Sequence, residues 1–287
     1  MILRGRSAII TGASLGFGAA IAEKFVSEGA SVLMCARSMG PLEETARLLR
    51  AKALPDQIVA AKACDVTREK DVDDLIAEAL KLFSHVDALV NNAGVYGPLG
   101  PIEAVDWAQW KDAVHANLFG TVYPCRVLVP HFKSRGYGKI VNLSGGGATS
   151  PLPRVSAYAA AKAAVVRFTE TMAEELKGTG IDVNAIAPGV LDTRLTRQLL
   201  DAGAQAVGEA LYGRVSKLAA DGEATIRKGA ELCAYLCSAA SDGLSGKLIA
   251  APWDPWPFSP EHRSDLDRSD IYTLRRILPK DRGLGWG

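Results

Sequence analysis

Tyr158 and Lys162 stand four residues apart in a segment that reads as a helix from Ser156 to Lys177, and that spacing stacks two side chains on one helix face. A phenol with an ordinary pKa near 10 becomes a useful acid and base when a cation lies beside it. Bringing the phenol near neutrality takes about 4 kcal/mol, an amount within reach of an ammonium in a partly dry cleft. Taken alone, such a pair is equally common on an exposed helix face, so its meaning rests on what surrounds it.

The run Thr11-Gly12-Ala13-Ser14-Leu15-Gly16-Phe17-Gly18 follows the apolar Ser7-Ala8-Ile9-Ile10 and opens a helix expected from Gly16 to Glu28. Glycines at such a junction permit a tight turn and a close approach of backbone N–H groups to a pyrophosphate at the helix N-terminus. Gly12, Ser14, Leu15, Gly16, Phe17 and Gly18 are therefore candidate dinucleotide-binding residues. Their spacing is GxxxGxG rather than the broader GxGxxG. At the end of the second expected strand, Ala36 is followed by Arg37, where a carboxylate would bond the ribose hydroxyls of NAD(H). A planar guanidinium suits a 2′-phosphate instead, and NADP(H) is expected over NAD(H) unless Arg37 merely caps a surface loop.

The glycine spacing resembles that of the short-chain dehydrogenase/reductase family, and four further motifs follow in the family's order. Asn91-Asn92-Ala93-Gly94 ends the fourth expected strand, Asn117 lies in a long helical segment, Tyr158 and Lys162 sit in the next, and Pro188-Gly189 follows the sixth strand. The resemblance implies reversible carbonyl/alcohol interconversion, with Tyr158 moving the proton. It also implies that Lys162 bonds the nicotinamide ribose and that Asn117 holds a water relaying protons to Lys162. It assigns Asp65 and Val66 to the adenine, Asn92, Ala93 and Gly94 to the cofactor-side edge of the sheet, and Pro188, Gly189, Val190 and Thr193 to the carboxamide and phosphates.

In one place the sequence departs from this pattern. The family's catalytic serine stands three residues after the strand's Asn, and counting from Asn142 reaches Gly145, with Ser144 one position early. Either the Gly145-Gly146-Gly147 loop shifts so that Ser144 takes the role, or no hydroxyl orients the substrate carbonyl. The first alternative is the expectation, because glycines accommodate a register change. The second keeps open a catalytically idle NADP(H)-binding sensor or scaffold on the same fold. Hydrolase chemistry is not indicated, since Asn142-Leu143-Ser144-Gly145-Gly146 fails G-x-S-x-G.

The elements that must position these residues follow from alternating short apolar runs and longer helical segments, the signal of a parallel sheet covered on both faces. Strands are expected at residues 7–10, 32–36, 58–63, 86–91, 139–143, 181–187 and 247–250, and helices near 42–52, 69–83, 107–134, 156–177 and 223–238. The fold class is α/β, a single doubly wound Rossmann-type domain of about seven parallel strands over residues 1–251. Residues 192–221 read as a helical substrate lid whose Leu195, Leu199, Leu200, Leu211 and Tyr212 line an apolar pocket or pack the lid itself. Residues 252–287, opening with two tryptophans among prolines, read as an ordered arm that crosses to a neighbouring subunit or closes its own cleft.

Composition narrows the partners. With 48% hydrophobic and 23% charged residues and a net charge of +1, neither nucleic acid nor an anionic membrane is favoured, and a small-molecule carbonyl or alcohol fits better. No apolar run approaches the roughly 18 residues of a membrane span. Met1 to Arg6 run straight into a strand, leaving no room for a signal peptide, and a cytoplasmic location is expected. Five scattered cysteines and four dispersed histidines suggest neither a disulfide framework nor a metal site. The family resemblance adds an expected homo-oligomer, dimer or tetramer, pairing on the helices that hold Asn117 and Tyr158.

Overall fold

Ser7-Ala8-Ile9-Ile10-Thr11 is buried along its whole length, which explains why it shows no polar alternation. In the computed structural model, which describes residues 1–218 and 222–286, this run is β1 (Ser7–Thr11). The other strands are β2 (Ser31–Ala36), β3 (Val59–Ala63), β4 (Ala88–Asn91), β5 (Gly138–Leu143), β6 (Ile181–Ala187) and β7 (Leu248–Ala250). They form one parallel sheet in the order β3-β2-β1-β4-β5-β6-β7. Every expected strand is present, with boundaries moved by no more than two residues.

Alternate strand residues feed two helical layers. Ala8, Ile10, Val32, Met34 and Val141 pack with Ile21 and Phe25 of α1 (Gly16–Ser27), Leu42 of α2 (Met39–Arg50) and Leu232 of α9 (Gly222–Leu236). Ile9, Leu33, Ile140 and Val183 face the other way, against Leu75 of α3 (Glu69–Leu82), Leu128 and Phe132 of α5 (Gly120–Arg135) and Met172 of α6 (Ser156–Glu175). The chain order reverses between β1 and β4, so their outgoing connections diverge and leave a crevice at the strands' carboxyl ends.

The continuous helix expected over 107–134 is instead α4 (Trp107–Val114), a single π turn (His115–Phe119) and α5. The cause lies at Asn117, whose side-chain Nδ2 donates to the Ala113 carbonyl at 2.7 Å. A side chain that takes a helix carbonyl competes with the backbone ladder and favours such a bulge. The lid stretch holds α7 (Arg194–Val207), kinked at Gly203, and α8 (Glu209–Leu218), while positions 219–221 of it, like Gly287 of the arm, lie outside the described residues.

The arm folds back on its own chain. Trp256 stacks near Tyr235 and donates its indole N–H to the Ala251 carbonyl at 3.0 Å. Phe258 and Leu266, the latter on α10 (Pro260–Arg268), enter the core beside α9. Farther on, the Tyr272 carbonyl accepts from Leu248 N at 2.8 Å, and Leu274 N donates to Glu170 Oε1 on α6 at 2.6 Å. The arm thereby occupies the outer edge of β7, a row of groups otherwise ready to pair with another chain. Because Leu266 is 3% exposed, Leu266→Ala should lower the unfolding free energy by about 2–4 kcal/mol, read as a shift of the urea midpoint followed by tryptophan fluorescence.

Candidate active site

The turn after β1 can lie as it does only because it lacks side chains. Gly12 adopts φ +64, and a Cβ on it would stand 2.8 Å from the Ala93 Cα. A Cβ on Gly18 would meet the Gly12 carbonyl and come within 2.5 Å of Asn92 Nδ2. Asn92 fastens this turn to the end of β4, donating from Nδ2 to Thr11 O at 2.9 Å and Gly12 O at 3.0 Å. The Thr11 hydroxyl returns the contact, accepting from the N–H groups of Asn92 and Ala93 at 3.0 and 3.1 Å. α1 starts with no side-chain cap and no acidic residue in its first turn, so its free N–H groups and positive end face the crevice.

Gly12, Ser14, Leu15, Gly16, Phe17, Gly18, Arg37, Asp65, Val66, Asn92, Ala93, Gly94, Ser144, Tyr158, Lys162, Pro188 and Thr193 all line one continuous cleft. Gly189 and Val190 do not. Gly189 turns at φ +88 beside Pro252 and Thr225, and Val190 packs in the apolar cluster around Tyr158. Asn117, wholly buried, stands behind the wall, with Ala116 reaching the cleft in its place. Sequence reasoning missed Ala116, Val95, Leu191 and Arg194 as lining residues; the last two follow Pro188 closely, and that proximity was the available signal.

The Asn117 side chain bonds to the chain on either side of the cleft wall. Nδ2 donates to Val95 O and Ala113 O, both at 2.7 Å, and Oδ1 accepts from Val95 N at 3.3 Å. Its carbonyl accepts from the Thr121 hydroxyl at 2.9 Å. The residue clamps the chain beyond Gly94, and a Cβ on Gly94 would lie 2.7 Å from Asn117 Oδ1 and 3.6 Å from Lys162 Nζ. Asn117 therefore positions the floor under Lys162.

Tyr158 and Lys162 meet as the helix spacing requires, with Nζ 5.6 Å from the ring centroid. The protein groups around the phenol do not by themselves lower it. Burial, with the neighbouring Tyr96 phenol, pushes Tyr158 above its ordinary value, and burial brings Lys162 down to about 8. A dry site penalises both charged forms, and the ammonium is engaged by the Leu143 carbonyl at 2.6 Å. Tyr96 packs edge-on against Tyr158, with centroids 4.7 Å apart, and burial raises its own phenol to about 12.

The glycine loop does not shift to bring Ser144 under the phenol. Ser144 N stays in register, donating to Ile186 O at 2.8 Å, and its hydroxyl is turned to the Lys162 carbonyl at 3.5 Å. Gly145 lies under the phenol instead, where a Cβ would stand 2.5 Å from Tyr158 Oη, and one on Gly147 would stand 3.1 Å from Ala159. The glycines let α6 and its tyrosine press close to the end of β5. Sequence reasoning treated them as a source of flexibility.

At the far end of the cleft, Arg37 is exposed and makes no hydrogen bond or ion pair with the described residues. Burial opposes ionisation of Asp65, but the Thr67 N–H and hydroxyl, at 3.0 and 2.7 Å, with the charges of Arg37 and Arg68, hold its carboxyl below the ordinary value. At the near end, Val155, Leu199, Val207 and Leu211 form an apolar cluster that packs on Tyr96, Leu152, Leu200, Tyr212 and Tyr158. Among the described residues, no group of His, Cys, Asp and Glu is arranged to hold a metal, and no helix is long and apolar enough to cross a membrane. Lys162 is a buried base whose contribution to folding is most favourable above its ordinary 10.5 and is lost as pH falls through about 8. Lys162→Met should therefore be more stable than the parent at pH 7, by about 3 kcal/mol at most, with the difference shrinking between pH 8 and 10.5 in denaturation curves.

A family model described as short chain dehydrogenase matches residues 6–203. Over 198 residues the chain is 37% identical to a 2-(R)-hydroxypropyl-CoM dehydrogenase of Xanthobacter autotrophicus, covering 68% of this chain and 78% of that protein. Over 212 residues it is 38% identical to a 3beta-hydroxysteroid dehydrogenase 1 of Eggerthella lenta, covering 73% and 80%. Among solved structures, a 3-ketoacyl-(acyl-carrier-protein) reductase from Brucella melitensis complexed with NADH superposes with a TM-score of 0.74 at 31% identity, over 86% of this chain and 97% of that one.

Proposed function

Because the chain belongs to the short chain dehydrogenase family, and is thus an NAD(P)-dependent oxidoreductase of carbonyl and alcohol groups, we propose that it reduces a carbonyl with NADPH and uses Tyr158 as the acid. The observation that carries this reading is the placing of Tyr158 and Lys162 in the same cleft as the bare glycine turn. The residues fit a dinucleotide: Gly12 and Gly18 leave room for close backbone approach, the first turn of α1 is uncapped, and Arg37 makes no hydrogen bond or ion pair with the described residues. When bound, the nicotinamide exchanges a hydride with the substrate carbon.

The remaining chemistry belongs to side chains. A phenol is protonated near neutrality at its ordinary value, and burial raises it further, so it is in the form that donates to a nascent alkoxide. Lys162 lies behind it on the same helix face and reaches towards Gly94, in position to bond a ribose hydroxyl. With Gly145 beneath Tyr158 and the Ser144 hydroxyl turned away, the substrate oxygen takes its hydrogen bond from Tyr158 without help from a serine. Loss of one such donor typically costs about 3 kcal/mol of transition-state stabilisation, and that observation supports the second reading, an idle NADP(H) sensor.

The names of the relatives, a hydroxypropyl-CoM and a 3beta-hydroxysteroid dehydrogenase, agree with an alcohol or carbonyl substrate, and the cluster around Tyr158 favours an apolar one. Self-association along the helices holding Asn117 and Tyr158 is supported by exposed Trp107 and Phe119 on α4 and the π turn. Five free, buried cysteines suit a reducing compartment such as the cytoplasm.

A panel of ketones and alcohols assayed by nicotinamide absorbance separates the two readings. Turnover should appear with NADPH and fall about 100-fold or more in Tyr158→Phe, with NADPH affinity little changed; tight binding without turnover across the panel identifies the sensor. Arg37→Asp should reverse the cofactor preference, weakening NADPH and strengthening NADH in titrations of both.

A further inference from the structure

We infer that Arg194, the first residue of α7 in the lid, binds the diphosphate of the dinucleotide and supplies beside Thr193 a cation that the glycine turn lacks. This rests on the dinucleotide-binding reading above and extends it to a residue outside the glycine turn. Thr193, which precedes α7, lies with its Cγ2 3.3 Å from where a Cβ on Gly16 would stand. The lid's first turn therefore leans on the start of α1, beside the turn whose backbone is bare enough for a phosphate to approach.

Arg194 lines the same cleft, is exposed, and makes no hydrogen bond or ion pair with the described residues. Its neighbours are differently placed. Arg197, one turn on, is paired with Asp192 at 3.2 Å. Asp65, the acidic residue of the cleft lining, is tied to Thr67 at the other end. Neither the start of α1 nor that of α7 carries an acid in its first turn. A diphosphate on the glycine turn would otherwise meet backbone N–H groups and hydroxyls alone. A guanidinium supplies forked donors matched to phosphate oxygens.

The chemistry distinguishes Arg194 from Arg37. The diphosphate is common to both dinucleotides, whereas a 2′-phosphate belongs to NADPH alone, so Arg194 acts on NADH and NADPH equally and Arg37 discriminates between them. Calorimetric titration of the full chain with NADPH and with NADH tests this at two salt concentrations. Arg194→Gln should weaken both dinucleotides by about tenfold or more and by the same factor. It should also flatten the salt dependence, with an unchanged thermal midpoint, and Arg194→Lys should recover part of the loss. Affinities within twofold of the parent, or a loss confined to NADPH, would overturn the inference while leaving the dinucleotide reading intact. A parent chain that binds neither dinucleotide overturns both.

Discussion

The join between the turn after β1 and the end of β4 carries the rest of the molecule's chemistry. Asn92 holds the carbonyls of Thr11 and Gly12, and Thr11 holds the N–H groups of Asn92 and Ala93. These reciprocal bonds close the gap at which the sheet's connections diverge, and they satisfy backbone groups that would otherwise be buried without partners. They also draw the two segments so near that Gly12 and Gly18 admit no Cβ. The start of α1, the floor at Gly94 and the clamp at Asn117 all take their positions from that join.

Behind it lies a second polar row. Asn91 Nδ2 donates to Asn142 Oδ1 at 2.9 Å, and Asn142 Nδ2 donates to the Thr169 hydroxyl of α6 at 2.9 Å. Buried amides in such a chain specify one register between β4, β5 and α6 because any slip leaves them unpaired. That register sets the height of α6, and with it Tyr158 and Lys162, above the end of β5. Lys162 occupies its place against a desolvation penalty, since burial lowers its affinity for a proton.

The arm solves a separate problem. β7 closes one side of the sheet, and without cover its outer groups would be open to pairing with another chain. Tyr272 meets Leu248 there, Lys247 Nζ donates to the Ser269 carbonyl at 3.0 Å, and Glu170 on α6 accepts from Leu274 N. The segment thus ties the sheet edge to α6 from outside the cleft.

Strands, crossover helices and the glycine turn were legible in the residues because each depends on local pattern: apolar runs for buried strands, one apolar face for a helix, absent side chains for a close turn. The pairing of Tyr158 with Lys162 was legible for the same reason, being a property of one helix. The exceptions depend at least in part on how distant parts of the chain come together. Whether Ser144 or Gly145 lies under Tyr158 depends on the approach of α6 to β5. The π turn at Asn117 depends on its contact with Val95 as well as Ala113. The direction in which the phenol moves depends on how dry the assembled cleft is, and the place of the arm depends on which edge of the sheet lay open. Sequence alone determined which groups are present and which share an element; the tertiary structure decided their distances and solvation, because hydrogen bonding and ionisation depend on separation in space and access to water, which spacing along the chain does not specify.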